Sequence, residues 1–161
     1  GHRRIAFIQG HPDHRAIGNR YEGYIEGLEK CGLSLSEELV VQGFNSFESG
    51  ETCARQLLTR KSRPTAIFAS NDDMAVGALK AAHELGLSIP DDVSVAGFDD
   101  IPMASQSWPS LTTIRQPILQ MGEAAATMLI DRAYGKDAAA KGLVIESELV
   151  PRNSTGTASA N

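Results

Sequence analysis

Short apolar runs rich in β-branched residues, each followed by a stretch of helical period, constrain this chain more than any other feature. They read RIAFIQ (4–9), ELVVQ (38–42), TAIFAS (65–70), VSVAGF (93–98), TTIRQ (112–116) and LVIESELV (143–150). Near-continuous apolar strands that alternate with helices predict an α/β fold: a mainly parallel sheet with helices on both faces, three layers in all. The first helix is expected at about 17–31, with Ile17, Tyr21, Tyr24, Ile25 and Leu28 on one stripe and Gly32 as its stop. Residues 48–61 repeat the plan with Cys53, Ala54, Leu57 and Leu58, ending before Pro64.

Two later helices are apolar over too much of their surface to be half-solvated. In 72–86, Met74, Ala75, Val76, Ala78, Leu79, Ala81, Ala82 and Leu85 go nearly all round, and a helix apolar on every side needs cover on every side. Ala75, Gly77 and Ala78 permit close approach, so a subunit contact is expected there, centred on Met74, Val76, Leu79 and His83. The helix at about 117–134, with Ile118, Met121, Ala124, Ala125, Met128 and Leu129, must be covered too, by the same chain or another. The tail RNSTGTASAN (152–161) has little to bury and is expected to be disordered.

Composition bounds the function. With 161 residues, 42% of them apolar and 22% charged, one ordinary soluble domain is expected. No run approaches the roughly 18 apolar residues of a membrane helix, and the start GHRRIAFIQG lacks a secretory core, so a cytoplasmic chain without membrane partners is expected. Cys31 and Cys53 lie in helical patterns without metal spacing and read as buried free thiols. A net charge of −5 gives no electrostatic reason to grip nucleic acid, and HRR (2–4) and RKSR (60–63) are too short to reverse that. There is no HExxH, GxSxG or GxxxxGK[ST], and His2, His11, His14 and His83 lack zinc spacing. No catalytic residue, metal or cofactor is expected, although a small α/β enzyme with a hidden acid/base pair stays open as an alternative.

In a doubly wound sheet, ligands bind beyond the carboxyl ends of the strands. The loops there are polar: His11, Asp13 and His14 after the first strand, Phe44 and Asn45 after the second, Ser70, Asn71, Asp72 and Asp73 after the third, Asp99 and Asp100 after the fourth, Gln116 after the fifth. Amides, carboxylates and a ring on one rim suit a neutral, hydroxyl-rich or heterocyclic ligand. Each has a plainer use. Asp72 and Asp73 open a helix and suit capping, His11 and His14 suit a solvated loop, and Arg20, placed in the first helical turn against the dipole, suits either a ligand oxygen or an ion pair with Asp13. Of the acids in VSVAGFDDIP, only one can readily face the cleft; Asp99 is expected to do so, with Asp100 as a cap.

GHRRIAFIQG, NRYEGYIEGL, FESG, TAIFASNDDMAVGALKAAHELGLSIPDDVSVAGFDD, WPSLTTIRQP and MGEAAATMLID, in this order and spacing, resemble the effector-binding core of the lactose-repressor (LacI/GalR) family of transcription regulators. The resemblance implies a periplasmic-binding-protein-like lobe, one of two that close on a small molecule, and no catalysis. It implies a homodimer, a carbohydrate or similar effector, and operator DNA held only by a head that this sequence does not contain. A fragment is therefore expected: 1–116 in the second lobe, 117–136 crossing to the first, and 137–151 returning. By position, the resemblance assigns ligand contacts to Arg20, Asp99 and Asn71, and specificity to Asp13, His14 and Ala16. The loop reading FNSF departs from the family, since Asn45 stands where a stacking ring is expected and Phe44 is displaced by one position; Gln116 is a weaker candidate. A free-standing periplasmic-type solute-binding protein remains the alternative.

Overall fold

Successive side chains of a strand point to opposite faces, and in β1 (Ile5–Gln9) Ala6 and Ile8 enter one apolar cluster while Phe7 enters another. The computed structural model describes residues 1–135 and 142–158. After β1 come α1 (Arg15–Lys30), β2 (Val40–Gln42), α2 (Phe47–Leu58), β3 (Ala66–Ala69), α3 (Asp72–Glu84), β4 (Ser94–Ala96), α4 (Pro102–Gln106), β5 (Thr113–Arg115), α5 (Ile118–Ala133) and β6 (Glu148–Val150). The main sheet is parallel in the order β2-β1-β3-β4, with Phe7 opposite Val40 on one side and Phe68 on the other. β5 joins it only through single bridges, Ala96 to Thr112 and Asp99 to Arg115, and pairs antiparallel with β6. Helices on both faces of a parallel sheet are the three layers expected from the alternating runs.

One face carries α1: Tyr24 and Leu28 pack on Phe7, and the Tyr24 ring stacks on Phe7 at 5.0 Å. The Tyr24 hydroxyl donates to the Ile5 carbonyl, and burial holds its pKa up at about 12. The other face carries α2 and α3, where Leu57, Ile67, Met74, Val93 and Val95 are fully buried.

Much of the cover of α3 comes from within the chain, which takes Met74 out of the expected subunit contact and leaves Val76 and His83 at the surface. Its helical neighbour is α2, and the two approach so closely that a Cβ on Gly77 would lie 2.2 Å from the Phe47 carbonyl oxygen. A Cβ on Gly50 would lie 2.3 Å from the Met74 backbone. The small residues of α3 thus admit a helix of the same molecule. Met74 is wholly buried, so it has no part in any surface contact, and Leu79 is nearly so. Val76 and His83 do reach a shallow surface cavity, shared with Phe47, Leu79, Lys80, Met103, Ser107 and Trp108.

α5 is the reverse. None of its residues is buried, and Ile118, Leu119, Leu129 and Ile130 stand more than half exposed. Among the described residues, nothing of the same chain covers it.

The expected disorder of 152–161 is also corrected for its described part. Ser154 is fully buried, accepts from Val95 N–H at its carbonyl, and donates its hydroxyl to the Val95 carbonyl at 2.6 Å. Thr112 N–H in turn donates to the Ser154 hydroxyl. A small polar residue can satisfy several backbone groups beside β4, which polarity alone does not reveal. Residues 136–141 of the expected crossing and return segments, and 159–161 of the tail, lie outside the described residues. Cys53 is buried as expected, whereas Cys31, just past the end of α1, is exposed.

Candidate functional site

β1 leads to one neighbour and β3 to the other, so the loops leaving their carboxyl ends part and open a crevice. His14, Ala16, Ile17, Arg20, Asn45, Asn71 and Asp99 line a cavity of about 210 Å³ in it. They come from the loops after β1, β2, β3 and β4 and from the first two turns of α1.

Arg20 lies in the second turn of α1, because the helix begins at Arg15 rather than 17. The dipole conflict expected for a first-turn cation therefore falls away. Its ion-pair partner is not Asp13 but Asp99, at 3.3 Å; it also donates to the Ser70 carbonyl and lies 3.9 Å over the Phe98 ring. Burial lowers the guanidinium pKa, against the attraction of Asp99. Burial likewise raises the Asp99 carboxyl pKa, opposed by Arg20 and by the amide of Gln116. Gln116 does not line the cavity, but it donates to Asp99 Oδ1 at 2.5 Å, on the oxygen that Arg20 also reaches. Among the described residues, no donor reaches the second Asp99 oxygen.

Asn45 fills the space above Gly10, where a Cβ would lie 2.0 Å from its Oδ1, so a side chain on the residue after β1 would push the Asn45 amide aside. Its φ of 61° turns the amide inward. Oδ1 accepts from His11 N–H at 3.1 Å, Nδ2 lies 3.2 Å from His14 Nδ1, and the Asn45 carbonyl accepts from Asn71 Nδ2. Three loops are thereby tied across the rim. Asn71 does two jobs: its Oδ1 caps α3 by accepting from Met74 N–H, and its other side-chain atom spans the crevice.

The acids beside these residues depart from their expected roles. Asp72 is no cap; it is fully buried and accepts from the Thr113 hydroxyl at 2.5 Å and from Ile101 N–H. Burial raises its pKa, while those two bonds pull it down. Asp100 is no cap either, since α4 starts from Ile101 without a side-chain bond. Its carboxylate is held by Arg152 at 2.6 Å and Arg115 at 2.7 Å. Burial alone would raise its pKa, but the two guanidinium groups bring it below the ordinary value. Asp99 and Asp100 have φ of 129° and 59°, and each such non-glycine residue costs roughly 1–3 kcal/mol that surrounding contacts must offset.

Two expected contacts stay outside the cavity. Asp13 is exposed beside His11, and the Phe44 ring is more than half exposed, edge-on to His11 at 5.9 Å. One lining residue was not expected as a contact: Ile17, assigned to the core stripe of α1, also faces the crevice one turn before Arg20. The i, i+3 spacing from Arg20 was the available signal. Among the described residues, no group of three or more His, Cys, Asp or Glu can hold a metal ion. No helix of the described residues is long and apolar enough to cross a membrane.

The model of the periplasmic binding protein-like domain matches residues 1–155. The chain belongs to that family. Among the proteins it is similar to are transcriptional regulators of the LacI family. It is 44% identical over 154 residues to the HTH-type transcriptional repressor PurR of Yersinia enterocolitica, covering 96% of this chain and 45% of that protein. Its fold is similar to the transcriptional regulator CelR in complex with cellobiose, with a TM-score of 0.91, 38% identity, and coverage of 96% of this chain and 47% of that one. The Escherichia coli transcriptional repressor AscG matches with a TM-score of 0.87 and 38% identity, over 96% of this chain and 56% of that one. The periplasmic binding protein-like chain thus spans about half the length of the relatives it matches.

Proposed function

We propose that this chain is the second effector-binding lobe of a LacI-type transcriptional regulator, non-catalytic and cytoplasmic, with a carbohydrate as effector. The cavity carries the reading. Its polar lining is a guanidinium, a carboxylate, two carboxamides and an imidazole, and among the described residues no Phe, Tyr or Trp lines it. Hydroxyl groups satisfy such a lining from several directions, whereas a flat heterocycle would need a face to lie on. That a related regulator was solved with cellobiose supports the choice.

In the intact protein, 117–136 crosses to the first lobe and 137–151 returns. The apolar face of α5 is then covered by that lobe, and the exposed Phe44 stands ready to meet ligand or the facing lobe. Val76, His83 and the almost fully exposed Trp108 supply a face for a homodimer. Operator DNA is bound by a separate head, and the effector acts by favouring one arrangement of lobes, by no more than its difference in affinity for the two. A thermal-shift screen of mono- and disaccharides against nucleobases on the intact regulator tests this. A sugar is expected to raise Tm; stabilisation by a nucleobase alone would replace the carbohydrate reading.

A further inference from the structure

The strained pair after β4 faces two ways. Asp99 turns to the cavity, where Arg20 and Gln116 meet on one of its oxygens. Asp100 turns to the other side, with its side chain 9% exposed, and each of its oxygens is taken by a different arginine. Arg115 is the last residue of β5, directly before Gln116 and the entry to α5, and it also reaches Glu148 of β6 at 3.0 Å. Arg152 lies two residues beyond β6 and anchors its other nitrogen on the Leu111 carbonyl at 2.7 Å. Two adjacent left-handed residues without glycine persist only if their surroundings over-determine them. The Asp99 N–H bond to the Ile114 carbonyl fixes one backbone point, and the two arginines fix the other.

We propose that Asp100 is a positioning residue for the effector site: its clamp by Arg115 and Arg152 holds the Asp99 carboxylate in place and ties it to both strands, β5 and β6, that border the passage to the other lobe. This rests on the effector-site reading of the cavity. Under it, whatever pulls on Asp99 is felt at Gln116 and, through the shared backbone, at the two arginines that carry the outgoing and returning chain. Ligand contact and lobe movement then share one dipeptide, with the ligand hook on one residue and the anchor of the crossings on the next.

Nuclear magnetic resonance of the chain at neutral pH tests the positioning without any ligand, by the Gln116 side-chain amide and the Asp99 carboxyl carbon. Asp100→Asn is expected to move both signals towards those of solvated side chains, while the amides of β1 and β3 keep their shifts. Arg115→Gln, which removes only the half-exposed arm of the clamp, is expected to move them in the same direction by less, and it decides the matter if Asp100→Asn does not fold. A lowered Tm with both signals unmoved in the folded variant would overturn the proposal and leave the clamp purely structural. Failure of the effector reading would be seen separately, as cellobiose binding to the intact regulator that Asp99→Asn leaves unchanged.

Discussion

α3 and α5 carry similar apolar surface in the sequence and meet opposite fates in the fold. α3 is buried by α2, β3 and β4 of its own chain, down to glycine-to-backbone contacts at Gly50 and Gly77. α5 has the higher proportion of exposed large side chains and not one buried residue. Apolar content states that a helix must be covered; the location of small residues states how near its cover lies. Where glycines on two consecutive helices can face one another, the cover is local. α5 has a single glycine, Gly122, and nothing stands within 4 Å of where its Cβ would be.

The comparison can be broken most severely at its tightest point. Gly77→Ala puts a methyl group into the Phe47 carbonyl, and forcing the two helices apart is expected to cost about 3 kcal/mol in urea denaturation. A loss under roughly 0.5 kcal/mol, the range of ordinary surface changes, would show that the α2 and α3 contact is loose.

Thr113→Val is the next largest. It strips the buried Asp72 at the start of α3 of one of its donors, at about 1–3 kcal/mol. The sign with pH follows from burial raising the Asp72 pKa in the folded chain. An acid whose folded pKa is raised makes the protein less stable as pH rises from the unfolded pKa through the folded one. Removing a donor that favours the charged form pushes that pKa further up, so the variant is expected to lose more stability near neutral pH than in acid. Equal losses at both would mean that Thr113 does not stabilise the carboxylate.

Leu129→Gln on α5 is expected to have the smallest effect, within about 0.5 kcal/mol on the stability of the isolated chain, because the residue is already solvated. Sedimentation is expected to show weaker self-association of this variant, as an exposed apolar patch is a site of association. A large loss of stability would mean that α5 is packed in solution on its own chain.

Most of the layer order was legible because it depends on period, which the sequence displays directly. The strands came out shorter than the runs, notably β6, where only Glu148–Val150 pair out of an apolar run beginning at 143. The cavity was legible as far as position on the rim decides it: Arg20, Asn71, Asp99, Asn45, His14 and Ala16 come together there. Asp13 and Phe44 do not, because loop side chains are aimed by backbone turns that no periodicity encodes. The roles of Asp72, Asp100 and Ser154 were hidden for a different reason. Each is satisfied by residues 15 or more positions away, Ile101 and Thr113 for Asp72, Arg115 and Arg152 for Asp100, and Val95 for Ser154. Local sequence favours capping or disorder at such places, and tertiary partners override it.

The claim at the centre is that the rim of this lobe is half of an effector site built on Arg20 and Asp99. Calorimetric titration of the isolated chain with cellobiose, beside its Asp99→Asn variant, tests it most directly. Weak binding in the millimolar range that the variant abolishes is the expected result, since one lobe supplies only one wall. Nanomolar binding by the isolated chain, or binding that survives loss of the Asp99 carboxylate, would contradict it.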